Sequence, residues 1–345
     1  MLDYLSESTQ LLYAQLLDEL LHGAYSPRGI SFVTRTIKGH DYWYINYVLG
    51  STRQSHYLGL DEPPLRARVE AIKARWREDS PSAEARARLV SMLLAGGATT
   101  LTASQGRIIE ALEQAGVFLV GGVLVGSHAF AMMGNSLGVK WPRAALRTKD
   151  IDIAHDRELH ITIPDHEIVL EEVLRRTGEE FLPVPSLSRD HPSTTFKIRG
   201  AELSVSLLTP LRGKPDNTPR EIPALNAMAA PLRFLDYLLE DVQPAALPFR
   251  QGVLVNIPSP ARFALHKLVV SQRRPPGFAT KARKDITQAE AVLRVLLSDR
   301  PGDLYPAVAA TREMPAKFTA QLRAALQHLS PELRDPIEAL LDQTQ

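Results

Sequence analysis

The chain has no cysteine, few aromatic residues and almost no net charge. Without cysteine it can form neither disulfides nor thiolate metal sites, so a bound metal would need oxygen or imidazole ligands. The formal net charge of +1 gives no global attraction to nucleic acid, so RNA binding would depend on a local basic patch. The absence of cysteine also fits a reducing cytoplasm, which is the compartment that we expect.

Long apolar runs are scarce as well. The stretch 117–134 comes nearest to a membrane span, but it carries Ser127 and His128 in its middle and is barely long enough. Residues 1–8 lack the basic start and the continuous apolar core of a secretory signal. We therefore expect neither a signal peptide nor a membrane partner.

Two segments in the middle of the chain carry candidate chemistry. The apolar stretch 117–125 leads into Gly126 and Ser127, and such a turn lets backbone N–H groups approach phosphate oxygens closely. Further on, Asp150 and Asp152 alternate with isoleucines, so a strand here places both carboxylates on one face. Two such carboxylates can hold Mg²⁺ or Mn²⁺ against a nucleoside triphosphate. The alternative is a pair of ordinary loop acids beside a strand.

These segments resemble the signature of the polymerase-beta-like nucleotidyltransferase superfamily. The stretches 122–130, 147–154 and 207–210 are similar to a bacterial branch of nucleotidyltransferase-fold proteins of unassigned activity, and the similarity covers about residues 101–290. The helical segment 260–270 looks like the helix that carries a phosphate-binding lysine in the minimal nucleotidyltransferases of toxin–antitoxin pairs. The resemblance therefore extends beyond the two central motifs.

The resemblance implies roles for individual residues. Asp150 and Asp152 would be catalytic and would bind the metal, Mg²⁺ or Mn²⁺. Gly126 and Ser127 would bind the β- and γ-phosphates of the nucleotide, whose charge Lys267 would neutralise. Lys267 also has an alternative without a ligand. A lysine on an otherwise apolar helix can extend its charged end to solvent and bind nothing.

A basic run follows that helix. It begins at Arg273, which we predict to bind nucleotide, and continues to Lys284 across the break at 275–277, which predicts a loop. Such a loop would touch nucleotide or nucleic-acid phosphates. A solvated surface loop without a ligand is an equal alternative.

The sequence departs from the superfamily pattern at one important position. The third carboxylate of the superfamily is expected on the strand predicted over 202–208, where this chain has Ser206. A hydroxyl cannot replace a carboxylate as a metal ligand or general base at neutral pH. Glu202 would share that strand face and has a longer side chain, so it is the candidate substitute. The segment 132–147 is also longer than usual, which predicts an inserted loop or an extra helix.

The pattern of elements divides the chain into three regions. Region 1–100 reads as a helix, a small antiparallel meander and one long helix over 63–94. Region 101–224 reads as the transfer core, an α/β (α+β) fold with a mixed nucleotidyltransferase-type sheet flanked by helices. Region 225–345 is predicted to be mainly helical, and the polar, proline-containing stretch 212–219 is predicted to form a loop that could cover the site.

The predicted function is metal-dependent transfer of a nucleoside monophosphate from a nucleoside triphosphate to a hydroxyl. The acceptor would be RNA, such as a tRNA-like 3′ end, or a protein side chain, and the resemblance adds an antitoxin or defence protein as a partner. Loss of the third carboxylate favours a different class, a catalytically weak nucleotide sensor or regulatory subunit. A third alternative is an interaction scaffold that binds no nucleotide.

Overall fold

The computed structural model describes residues 2–24, 30–37, 39–49, 52–78, 82–146, 148–158, 168–186 and 191–343. The predicted fold class is confirmed: a mixed sheet is flanked by helices, a helix and a β-meander precede it, and the C-terminal part is mainly helical. None of the helices in these ranges combines the length and the apolar character that crossing a bilayer requires.

The N-terminal part contains a three-stranded antiparallel meander between helices, as predicted. Its elements are α1 (Glu7–Ala24), β1 (Ile30–Ile37), β2 (His40–Leu49), β3 (Thr52–Leu60), α2 (Pro63–Glu78) and α3 (Ser82–Ala95). The single long helix predicted over 63–94 falls on α2 and α3, and residues 79–81 between them lie outside the described residues.

The central part contains the mixed sheet. Its elements are α4 (Ala103–Gln114), β4 (Val123–Val125), α5 (Gly126–Ser136), α6 (Arg143–Leu146), β5 (Asp150–Ala154), α7 (Leu170–Arg175), β6 (Phe181–Pro183), β7 (Thr195–Ile198), β8 (Ser204–Pro210), β9 (Arg220–Ile222) and β10 (Ala227–Leu232). The strand order is β4-β5-β8-β10-β9, and β7 pairs with both β6 and β8. The expected extra helix between the two motifs is present, as the end of α5 and the short α6.

Strand pairing fixes where the two aspartates lie. Strands β5 and β8 run parallel, with Asp150 opposite Ser204 and Asp152 opposite Ser206. Strand β4 runs antiparallel to β5, so its last residue is opposite Asp152. The two isoleucines of β5 are fully buried, and both carboxylates therefore occupy the other face.

The C-terminal part contains a β-hairpin and a helical layer. Its elements are α8 (Leu235–Leu239), β11 (Val242–Leu247), β12 (Val253–Pro258), α9 (Pro260–Ser271), α10 (Ala279–Asp299), α11 (Leu304–Ala309), α12 (Ala316–Leu326) and α13 (Pro331–Gln343). The predicted strand over 252–257 is β12, and its antiparallel partner β11 was not predicted. The loop predicted for the basic run is confined to the residues before α10, so Lys281 and Lys284 lie on a helix.

One continuous set of buried apolar side chains runs from Ile108 to Leu341 and joins the mixed sheet to the C-terminal helices. A smaller cluster packs α1 and α3 against Ala246 of β11. The predicted regions 101–224 and 225–345 thus share one core, and the boundary between them stays a prediction.

Candidate functional site

A cavity of about 790 Å³ lies where the turn between β4 and α5, the start of β5, and helices α9 and α10 come together. Five of the residues singled out from the sequence line it: Gly126, Ser127, Asp150, Asp152 and Lys267. We call this space the aspartate cavity. Residues that are far apart in sequence thus converge on one concave surface, which is the usual form of a small-molecule site.

Gly126 has a backbone conformation and surroundings that both require glycine. Its φ of +66° lies in the left-handed region, which side-chain-bearing residues rarely adopt. A Cβ added at this position would lie 2.8 Å from Oδ2 of Asp152. The turn therefore brings the backbone of Gly126 directly against the second aspartate.

The two aspartates differ in their surroundings. Asp150 is exposed and accepts a hydrogen bond from Oγ of Ser204 at 2.9 Å. Asp152 is half-buried, and burial, with a smaller contribution from Asp150, raises the pKa of its carboxyl to about 6. Two neighbouring carboxylates, one of them partly desolvated, are costly to ionise together unless a cation lies between them.

This pair fits Mg²⁺ or Mn²⁺ in its chemistry, because hard divalent cations prefer carboxylate oxygens. Within the described ranges, no group of three or more His, Cys, Asp or Glu residues comes together as a metal site. Protein ligands for such a cation would thus come from Asp150 and Asp152, and a polyphosphate would supply further oxygen ligands. Magnesium commonly binds through one or two carboxylates and substrate phosphates in this way.

Five basic side chains also line the aspartate cavity: Lys149, Lys267, Arg274, Lys281 and Lys284. They outnumber the three acidic side chains there. Burial, and then the nearby positive charge of Lys267, lowers the pKa of Lys284. This excess of crowded positive charge suits a polyphosphate.

Asp285 is the third acid of the cavity, and it is committed to two of the cations. Its side chain is only 4% exposed and contacts Nζ of Lys267 at 2.6 Å and Nε of Arg274 at 3.0 Å. A buried carboxylate with two charged donors keeps both of them in fixed positions. Asp285 thus positions Lys267 and Arg274, and both of its carboxylate oxygens are paired.

Ser127 is oriented by Gln288, a fully buried residue of α10. The side-chain amide nitrogen of Gln288 donates to the carbonyl oxygen of Ala145 at 2.9 Å and to Oγ of Ser127 at 3.2 Å. Because a carbonyl can only accept, the contact with Ala145 fixes which end of the amide faces Ser127. The Ser127 hydroxyl therefore accepts from Gln288 and keeps its own hydrogen to donate to a ligand.

The predicted position of Glu202 on a strand is wrong. Strand β8 begins at Ser204, and Glu202 lies in the preceding turn, where its side chain is 67% exposed and pairs with Lys149. It does not line the aspartate cavity. Opposite the aspartates, β8 presents Ser204 and Ser206, and Ser206 shares a 3.0 Å hydrogen bond with Thr195.

Arg273, predicted to bind nucleotide, also lies outside the aspartate cavity. Its guanidinium lies 5.1 Å from the ring centroid of Phe234 and lines a second cavity. The loop 212–219 was predicted to cover the site, but its described contacts are elsewhere: Pro215 and Asn217 line that second cavity as well. The side chain that follows Arg273, that of Arg274, does reach the aspartate cavity.

The segment before α4 also belongs to the cavity, although it was not predicted from the sequence. Residues 99–102 line the aspartate cavity, and Gln105 donates to the carbonyl oxygen of Thr148 at 3.0 Å, next to Lys149. Thr102 and Gln105 form a capping box at the start of α4. The spacing of these two residues is a recognisable signal for a helix start, but it contains nothing that points to a ligand.

His128 also lines the aspartate cavity. It is fully buried, and burial lowers the pKa of its ring to about 4. Its ring is therefore neutral at physiological pH.

Comparison with protein families matches residues 103–313 to a family described as nucleotidyltransferase. No curated protein and no solved structure matches the chain significantly. The matched range contains every lining residue of the aspartate cavity except 99–102, and it extends through α10. Since this range is more than half of the chain, and it holds the glycine turn and the aspartate pair together, the chain belongs to the nucleotidyltransferase family.

Proposed function

We propose that the aspartate cavity binds a nucleoside triphosphate with Mg²⁺ or Mn²⁺ and transfers its nucleoside monophosphate to a hydroxyl on RNA or protein. The observation that carries this proposal is that the Gly126 turn lies so close to Asp152 that it leaves no room for a Cβ, inside a cavity with an excess of basic side chains. The residues proposed to bind phosphate, to hold the metal and to neutralise charge thus line one cavity. A partner of the antitoxin or defence type is a prediction that rests on sequence resemblance alone.

Different residues of the aspartate cavity would bind the nucleotide and neutralise its charge. Asp150 and Asp152 would hold the cation, which supplies charge neutralisation at the phosphate oxygens. The Ser127 hydroxyl, with its hydrogen free to donate, would bind a phosphate oxygen near the turn. Lys267, held by Asp285, would offset the charge that accumulates on the departing pyrophosphate.

The transfer is a displacement at the α-phosphorus. The acceptor oxygen bonds to that phosphorus, the bond from the phosphorus to the bridging oxygen breaks, and pyrophosphate leaves. The hydroxyl proton is lost to solvent. Positioning and charge neutralisation dominate such a reaction, because the protein forms no covalent bond to the substrate.

The test is incubation of the protein with each α-labelled nucleoside triphosphate, Mg²⁺ or Mn²⁺, and cellular RNA and protein. We expect label on a macromolecule with the wild-type chain, and about a hundredfold less with Asp150→Asn/Asp152→Asn. This variant keeps the shape of the two side chains and removes their charge.

The matched control is Glu171→Gln/Glu180→Gln, which removes two exposed carboxylates that pair with arginines outside the cavity. Its label transfer should equal that of the wild type. Transfer that survives in Asp150→Asn/Asp152→Asn would show that the aspartate pair is not the catalytic centre.

A second candidate function is a nucleotide sensor or regulatory subunit. The serines at 204 and 206 favour it, because neither can serve as the third carboxylate of the superfamily. The sensor function is supported if titration calorimetry shows metal-dependent nucleotide binding while no label is transferred. Failure to bind nucleotide at all would reject both functions and leave the interaction scaffold.

A further inference from the structure

A second cavity of about 320 Å³ lies at the carboxyl ends of β8 and β10, beside the start of α12. Three basic side chains line it: Arg233, Arg273 and Lys317. Its described lining contains no acidic side chain. We call it the basic cavity, and neither the motifs nor the proposed function accounts for it.

None of these three cations pairs with a carboxylate in the part of the chain that the structure describes. Arg233 donates to the backbone carbonyl oxygen of Gly213 at 2.9 Å, and Arg273 stacks on Phe234. Partial burial, and then the charge of Arg233, lowers the pKa of Arg273. Like charges that crowd together in a concave surface repel each other, and a bound anion removes that repulsion.

Phe234 supports Arg273 from an unusual backbone conformation. Its φ is +69°, in the left-handed region, where a bulky aromatic residue is strained. The ring is nevertheless buried and packs edge-on against Phe318 with 5.3 Å between centroids, so packing holds the residue there. Strain of this kind is often found at binding sites.

The two cavities are connected through the end of α9 and through strand β8. Two consecutive residues after α9 line the two cavities: Arg273 lines the basic cavity and Arg274 lines the aspartate cavity. Strand β8 runs from Ser204, beside Asp150, to Pro210, next to the basic cavity, and its seven residues cover about 20 Å. A ligand that contacts both cavities is therefore elongated and carries negative charge along its length.

We propose that the basic cavity binds backbone phosphates of an RNA strand that presents its acceptor hydroxyl to the aspartate cavity. This inference rests on the proposed function and selects RNA from its two acceptor classes. A strand has one phosphate per nucleotide, so several nucleotides span the distance between the cavities, whereas a protein side chain reaches only one of them. Backbone phosphates fix the register of the strand without reading its sequence.

The test is binding of a fluorescein-labelled single-stranded RNA of mixed sequence, measured by anisotropy over a range of salt concentrations. The variant Arg233→Gln/Lys317→Gln removes two cations and leaves the packing of Arg273 on Phe234 intact. We expect affinity to fall about tenfold or more at low salt. The slope of log affinity against log salt should decrease by about 1.4, or about 0.7 for each lost phosphate contact.

Two controls accompany this variant. Arg175→Gln/Arg199→Gln removes two exposed arginines that line neither cavity, so RNA affinity should stay at the wild-type value. Arg273→Lys keeps the charge in the basic cavity and should retain most of the binding. Unchanged melting temperatures would confirm that all variants fold.

Equal RNA affinity in Arg233→Gln/Lys317→Gln and the wild type would overturn the inference. So would label transfer to protein that falls in this variant while RNA affinity does not, since the basic cavity would then hold an acidic protein. Nucleotide binding by the same variants separates the two proposals. If the wild type binds no nucleotide, the proposed function fails, while the loss of RNA binding still tests the basic cavity independently.

Discussion

At Gly126 both the backbone conformation and the neighbouring side chain require glycine. The left-handed φ alone would favour glycine, but the lack of room for a Cβ, which would lie 2.8 Å from Oδ2 of Asp152, links the same position to the aspartate pair. The sequence predicts this turn and the aspartate pair, because both motifs are local and lie next to recognisable strands. It does not predict Glu202 correctly, because the start of a strand depends on pairing partners that are distant in the chain.

The glycine pair Gly126 and Gly200 separates these two effects. Both have positive φ, but a Cβ at Gly200 would meet no heavy atom within 4 Å. Alanine at either position should cost about 1 kcal/mol of unfolding free energy, measured by urea denaturation. Only Gly126→Ala should also weaken metal-dependent nucleotide binding, because its Cβ displaces the Asp152 carboxylate. Equal nucleotide affinity in the two variants would show that the contact with Asp152 is unimportant.

At the scale of elements, α10 carries more of the site than the sequence analysis assigned to it. Lys281, Lys284, Asp285 and Gln288 follow helical spacing and therefore share one face, which closes the aspartate cavity. The prolines before Ala279 predicted a loop through this region, and that prediction extended too far. Helical periodicity was present in the sequence, but spacing on its own does not show which element a helix faces.

The link between α10 and the glycine turn can be tested through Gln288. A glutamate there has the same shape but cannot donate when ionised, so it would turn the Ser127 hydroxyl toward itself and away from a ligand. We expect Gln288→Glu to raise the KM for nucleotide about tenfold or more, since a buried charge-assisted contact replaces the phosphate contact.

A double-mutant cycle with Ser127→Ala distinguishes this role from a purely structural one. If Gln288 acts through Ser127, Gln288→Glu should raise the KM much less in a chain that already lacks the hydroxyl. Additive effects on KM would mean that Gln288 acts independently of Ser127. The melting temperature of each variant shows how much of any change is due to folding.

At the scale of the whole molecule, α9 connects the site to the C-terminal core. It packs against α8, α10, α11 and α12, and its buried residues belong to the same apolar cluster as the mixed sheet. The fold class follows from the order of strand and helix patterns, and it was predicted correctly. The contacts of Gln288 on α10 with Ser127 and Ala145 were not predicted, because they join residues more than 100 positions apart.

His266, in the middle of α9, makes stability depend on pH. It is buried, and burial lowers the pKa of its ring to about 3, with Lys267, Asp285, Arg274 and Arg273 as the charged groups around it. An unfolded histidine has a pKa of about 6.5, so below that pH the unfolded chain binds a proton that the folded chain does not. The stability due to neutral His266 is therefore complete above about pH 6.5 and is lost as pH falls toward about 3.

Between pH 7 and pH 5 this single group should lower the free energy of unfolding by about 2 kcal/mol. Urea denaturation of the wild type and of His266→Gln at both pH values measures the effect, because glutamine does not titrate. The variant should be less sensitive to pH by that amount, whatever its stability at pH 7. His328→Gln, at an exposed position of the chain, is the matched control and should keep the wild-type pH dependence. If His266→Gln and the wild type lose equal stability, another group must be responsible for the acid sensitivity, and the ring of His266 must be able to accept its proton without unfolding.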